Sequence, residues 1–185
     1  MHHYLAFLRG INLGNRRIKM DHLAELFREL KFTDVSTFIA SGNVIFSSKS
    51  ADPVKLAAQI AAHLEKSLGY EVDTFLRTRA EVAALAAQQP FSAAEMADPA
   101  NTIHVGFFAA PLPAAQQRGL EACRSEFDAL RVIGSDYWWL CRRIKSHESK
   151  IWASKELKAL KLTSSSMRNL TTLRKLAALY PATVA

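Results

Sequence analysis

Only two cysteines, Cys123 and Cys141, occur in 185 residues, and neither has a C-x-x-C partner or a neighbouring histidine. A disulfide framework is excluded, and both thiols are expected as small buried side chains in a reducing compartment. The six histidines (His2, His3, His22, His63, His104 and His147) show no H-E-x-x-H or comparable spacing, so no metal site and no cofactor are expected. His104, within an apolar run, reads as a core histidine with its polar atoms satisfied. No apolar run reaches the roughly 18 residues that a membrane-spanning helix needs. The opening "MHHYLAFLRG" lacks an apolar stretch followed by a small-residue cleavage site, so no secretory signal and a cytoplasmic location are expected. Acids are the scarcer charge, 17 against 24 cations, and none form the paired carboxylates of a glycosidase.

The excess of seven positive charges is uneven. Residues 1–100 carry 11 cations and 11 acids, whereas residues 101–185 carry 13 and 6. Clustered positive charge attracts phosphate, a polyanion or an acidic surface. The Lys155, Lys158 and Lys161 stripe reads as a solvated helix face rather than a binding site.

Hydrophobic period and punctuation divide the chain in two. Tyr4–Arg9 reads as a strand and Met20–Lys31 as a helix with Leu23, Leu26, Phe27 and Leu30 on one face. Strands follow at Val35–Ile39 and Val44–Ser47, separated by "ASGN". A second helix starts at Asp52 (N-cap) and Pro53, carries Val54, Ala57, Ala61, Leu64 and Leu68 as its stripe, and stops at Gly69. Glu71–Arg77 is the next strand. This β-α-β-β-α-β order predicts a ferredoxin-like α+β subdomain over 1–78, an antiparallel sheet with both helices on one face. The second α+β subdomain, 79–185, opens with a capping box at Thr78 and Glu81. A strand is expected at Thr102–Ala110, a helix at Ala114–Glu126, and a hairpin at Leu130–Ile133 and Tyr137–Cys141 around "GSD". A helix at Ile151–Leu160 follows, and a last helix capped by Ser166 runs to Tyr180.

The stretch "LRGINLGNRRIKM" places Arg9, Arg16, Arg17 and Lys19 around two glycines, with no acid between them. In a ferredoxin-like sheet the end of the first strand adjoins the start of the third. Arg9 and Asn12 should therefore meet Ser41, Gly42 and Asn43, and turn amides with neighbouring guanidinium groups suit an anion. The same glycines also suit positive-φ turns without any ligand. At the last helix, Arg168 in the first turn would oppose the helix dipole, which a bound anion or an acidic partner would offset. Arg168, Thr171, Thr172 and Lys175 would share its polar face. In "YWWLC" one strand face is core and the other is a candidate stacking surface. "SHESK" gathers His147, Glu148, Ser149 and Lys150 without the geometry of a catalytic triad.

The segments "YLAFLRGINLG", "KMDHLAELFRELKFTDVSTFIASGNVIF", "QQPF" and "SMRNLTTLRKLAAL" resemble the bacterial domain-of-unknown-function family numbered 1697, from Tyr4 to about Leu179. The resemblance implies a two-part α+β fold with a ferredoxin-like first part, and no activity. Its hallmark positions fall on Arg9, Gly10, Asn12, Ser41, Gly42, Asn43, Ser149, Lys150, Arg168, Asn169 and Thr172. Two departures stand out. Leu170 replaces the family's usual Trp after Arg-Asn, and His147-Glu148 replaces a frequent Gly-Arg before Ser-Lys. An acid at 148 would repel phosphate or pair with a local lysine.

The expected function is binding of a phosphate-bearing ligand, a nucleotide or nucleic acid, by Arg9, Asn12, Ser41 and Asn43 together with Arg168, Asn169 and Thr172. An alternative is an enzyme acting on a small anionic substrate with His147, Ser149 and Lys150. Another makes the Arg and Asn clusters structural, which requires Arg9 and Arg168 to be buried, each against a carboxylate.

Overall fold

The computed structural model describes residues 1–182, so the last three residues of the 79–185 span lie outside it. The chain forms two compact units, Leu85–Leu173 and the remainder, Met1–Ala84 joined by the segment from Arg174 onward.

The first unit contains β1 (His2–Leu8), α1 (Met20–Glu29), β2 (Thr33–Phe38), β3 (Asn43–Ser48), α2 (Pro53–Leu68) and β4 (Thr74–Thr78). Its sheet has the order β2-β3-β1-β4, antiparallel throughout, which is the ferredoxin-like arrangement. Tyr4, Ala6, Leu8, Val44, Phe46 and Leu76 pack on Leu23, Leu26 and Phe27 of α1 and on α2, so both helices cover one face. The ends of α2 form as their residue types dictate: the Asp52 carboxylate accepts from the amides of Val54 and Lys55, and Gly69 closes the helix at φ 77°. The apolar stripe differs from the expected one. Leu56, Ile60 and Leu64 are buried, whereas Val54 is 73% exposed. The spacing of four lies on a neighbouring face, and alanines at 57 and 61 obscured it.

Thr78 and Glu81 close a reciprocal capping box ahead of α3 (Arg79–Ala87). A second box, Ser92 with Glu95, starts the short α4 (Ala93–Ala97), which sequence reading missed. The Glu95 carboxylate also takes both Nε (3.0 Å) and Nη2 (2.7 Å) of Arg142 on a single oxygen. The Arg142 and Ser92 hydrogen bonds pull its pKa down to about 2 from 4.5. A depressed carboxylate pKa contributes stability that is complete above the unfolded value and disappears as pH falls through the folded one. Glu95→Gln is therefore expected to cost about 1 kcal/mol at pH 7, discounted for solvent screening, and nothing near pH 2. Urea unfolding of both proteins at the two pH values checks this.

The second unit contains α4, β5 (Thr102–Phe107), α5 (Ala114–Ala122), β6 (Asp128–Ile133), β7 (Asp136–Cys141), a 3-10 turn (Ile151–Ala153), α6 (Lys155–Ala159) and β8 (Ser166–Asn169). A last helix, α7 (Leu170–Leu179), carries the chain back into the first unit. There the Tyr180 hydroxyl lies 3.1 Å from Ser36 Oγ. The sheet order β6-β7-β5-β8 repeats that of the first unit strand for strand. The register fixes the equivalences. Leu5 lies opposite Ile45 and Arg77, and Val105 lies opposite Trp138 and Arg168. Leu8 N donates to Gly42 O and Phe108 N to Ser135 O, each at 2.9 Å. Arg77 and Arg168 each donate Nη1 to the carbonyl of the preceding residue, at 2.7 and 2.8 Å. The second unit is thus a second complete copy of the topology.

Three elements differ from the sequence expectation. Ser166–Asn169 is an edge strand, not a helix start. Its pairing with β5 satisfies the backbone, and the Asn169 side chain accepts from Thr171 N at 2.8 Å to cap α7 three residues later than expected. Arg168 therefore lies in the strand and not in the helix's first turn, 8% exposed, with burial lowering its pKa to about 10. "YWWLC" has no free face: every residue of β7 is buried, Trp138 completely, so no base stacks there. The lysine stripe outruns α6, which ends at Ala159, and Lys161 turns back at φ 47°.

Candidate functional site

The β1–α1 connection, residues 9–19, is built as a braced loop. Asn12 holds it from both sides: Nδ2 donates to Ala40 O (3.0 Å) and Oδ1 accepts from Ile18 N (2.8 Å). The first of these bonds ties the loop to the β2–β3 turn, so Arg9 to Asn12 and Ser41 to Asn43 meet as the topology predicted. Tyr70 adds a third brace, donating its hydroxyl to Ile11 O (3.2 Å), and the Arg16 guanidinium lies over its ring at 4.3 Å. Arg17 folds back on the loop carbonyls, with Nη1 at 2.9 Å from Gly14 O and 2.7 Å from Arg16 O.

The neighbouring turn is equally fixed. Asn43 is buried and donates Nδ2 to Phe38 O and Ser41 Oγ, both at 2.9 Å. Gly42 is required twice over. Its φ is +74°, and a Cβ there would meet Ile11 Cγ2 at 2.6 Å and Leu8 Cβ at 3.1 Å. Gly42→Ala is expected to destabilise by about 2 kcal/mol through backbone strain and overpacking, measured by thermal unfolding. Ile39, β-branched, sits at φ 52° in the same turn with 53% of its surface exposed. That strained geometry holds an apolar side chain out toward solvent. Leu13, on the loop, is 68% exposed.

Around these two apolar tips stand Arg9, Arg16, Arg17 and Lys19, all exposed. Arg9 is not buried, as the structural alternative required; it reaches the half-exposed Asp73 carboxylate at 3.3 Å. Lys19 precedes α1, which begins without a side-chain cap. Two left-handed glycines (Gly10 and Gly14) and four exposed cations on one short stretch form a surface suited to oxyanions.

The remaining hallmark residues lie in the second unit or on α7, and they do not form one cluster within that unit. Arg168 alternates with Met167, which packs into the aromatic core, so its side chain leaves the sheet on the opposite face. Its Nη1 also bonds Ser166 Oγ at 2.8 Å. Thr172 is half-buried on α7, and Lys150 is exposed. Ser149 points instead to Asp128, donating Oγ to Oδ1 at 2.7 Å. Among the described residues Glu148 pairs with no lysine side chain; its Oε2 accepts from Lys145 N at 2.7 Å, closing the loop.

Asp128 is the residue that sequence reading missed. It is 3% exposed, and its carboxylate accepts from Trp139 Nε1 (2.8 Å), Ser149 Oγ (2.7 Å) and Ser125 Oγ (2.6 Å). No local motif marks it, because its donors come from three separate elements. Cys141 lies opposite it in the sheet, and burial, then the Asp128 charge, push that thiol up to about 12, leaving it inert. His104 stacks on Trp139 at 5.0 Å, yet its buried Nδ1 has no hydrogen-bond partner, contrary to the satisfied core histidine expected. Burial lowers its pKa. Among the described residues no group of three His, Cys, Asp or Glu is placed to hold a metal, and no helix is long and apolar enough to cross a membrane.

Comparison with known proteins adds family and fold. The family described as "Protein of unknown function (DUF1697)" matches residues 1–138. The structure of a conserved bacterial protein from Streptococcus pneumoniae is similar at 20% sequence identity, with a TM-score of 0.74, covering 98% of this chain and 99% of that one. No curated protein matches the sequence.

Proposed function

The chain belongs to the DUF1697 family, whose description assigns no activity, and on that premise we propose that it binds a phosphate-bearing polyanion, a nucleic acid strand, at the 9–19 loop and the Ile39–Gly42 turn. The observation that carries this is the comparison of the two copies of the fold. The copy in the second unit joins β5 to α5 through residues 108–113, "FAAPLP", without a single charge. The first copy spends residues 9–19 on the same connection and fills them with four cations. The topology does not need them, which supports a role beyond the structural contacts that Arg9, Arg16 and Arg17 make.

Arg16 and Lys19 are the phosphate contacts, and Arg17 stiffens the loop that presents them. Arg9 exchanges its Asp73 partner for a phosphate oxygen or keeps both, since a guanidinium has five donors. Leu13 and Ile39 offer apolar contact to sugars and bases. Four cations spread along a braced edge fit a run of phosphates better than the single phosphate cluster of a nucleotide. The test is fluorescence anisotropy of a labelled 20-mer single strand at two salt concentrations. Binding that weakens steeply with salt supports the proposal, because counterion release scales with the phosphates neutralised. Absence of binding at low salt ends it.

A further inference from the structure

We propose a second, separate binding site, for a small organic monoanion with an apolar body, in the cavity between α5, the start of β6, the 142–150 loop and α6. It lies wholly within the second unit, has a volume of about 690 Å³, and stands independently of the loop described above. Pockets that hold drug-sized molecules measure about 300–1,000 Å³ and combine apolar walls with a few placed polar groups.

The walls have that composition. Phe127, Ile144, Ile151, Leu160 and Cys123 supply apolar surface. Polar groups that line the cavity are mostly committed elsewhere. The Ser149 hydroxyl is spent on Asp128 and on accepting Ile151 N, Ser154 Oγ caps α6, and Glu148 is held by the Lys145 amide. The Asp128 carboxylate on that wall is negative and offers an anionic group no donor, its three hydrogen bonds all being accepted from the protein. The cations left are Lys150 and Arg124, both exposed and neither in an ion pair among the described residues. Glu156 lies near Cys123, where it adds to burial in raising the thiol pKa. The field across the cavity therefore orients a ligand with its anion toward Lys150 and Arg124 and its apolar body among Phe127, Ile144 and Ile151. A dianionic phosphate fits poorly, because the Asp128, Glu148 and Glu156 carboxylates line the cavity against only two cations.

The probe is 1-anilinonaphthalene-8-sulfonate, an aromatic body with one sulfonate, titrated into the folded full-length protein. Saturable one-to-one binding with enhanced emission is expected. Lys150→Ala should weaken it at least about fivefold, one ion-pair contribution of roughly 1 kcal/mol, while Lys150→Arg restores most of it. Ala122→Trp, at an exposed position on the cavity wall, should abolish binding while the circular dichroism spectrum stays unchanged. Bound probe should also slow the reaction of Cys123 with a disulfide reagent. Absence of saturable binding, or binding unaltered in both Lys150→Ala and Ala122→Trp, would overturn the proposal.

Discussion

Replacing Asp128 by alanine is expected to cost about 3 kcal/mol of stability, a large share of the 5–15 typical of a domain. The carboxylate collects Trp139 Nε1, Ser149 Oγ and Ser125 Oγ at 2.6–2.8 Å inside a site that is 3% exposed. Removing it strands a buried indole N–H and frees two hydroxyls, one of which holds the 142–150 loop. Asp128→Asn separates charge from hydrogen bonding. Its carbonyl oxygen still accepts from Trp139 and Ser149. Its amide confronts Ser125 Oγ, which already accepts from Phe127 N and Asp128 N. The expected cost is about 1 kcal/mol, the loss of one hydrogen bond. Urea unfolding followed by far-ultraviolet circular dichroism ranks the three proteins. A cost below 1 kcal/mol for the alanine variant, or equal costs for both, would show that the network contributes little.

The largest effect on binding is expected from the triple variant Arg16→Ala, Arg17→Ala, Lys19→Ala. Each phosphate contact on a single strand contributes about −0.7 to the slope of log K against log salt. Losing the two contacts of Arg16 and Lys19, with the Arg17 brace, should flatten that slope by about 1.4, and at 50 mM salt should weaken binding at least about thirtyfold. The fold should survive, since the loop stays tied through Asn12 and Tyr70, whose partners are backbone groups on Ala40, Ile18 and Ile11. Lys155→Ala with Lys158→Ala, on the exposed face of α6, serves as the control and should change binding less than threefold.

The sequence spoke most clearly where geometry is local. Asp52 and Gly69 bound α2, Thr78 and Glu81 form their box, and Gly134, at φ 64°, turns the β6–β7 hairpin. The meeting of Asn12 with the β2–β3 turn was also readable, because strand order alone dictates it. What escaped detection depends on partners distant in the chain. Ser166–Asn169 carries a serine followed by an amphipathic run, which imitates a helix cap, and only pairing with β5 makes it a strand. The α2 stripe was misplaced because alanine is compatible with either face. Asp128 resembles any other acid at the start of a strand until Trp139, Ser125 and Ser149 converge on it. The second copy of the fold was half visible, since β8 was the strand missing from the count.

The most direct measurement replaces residues 9–19 with the short uncharged connection of the second copy, residues 108–113, and compares strand binding across a salt series. If the loop is the phosphate-binding device, the exchanged protein unfolds cooperatively, keeps its circular dichroism spectrum and loses salt-dependent binding. Binding that survives the exchange with an unchanged salt slope would contradict the assignment and move the nucleic-acid surface elsewhere on the chain.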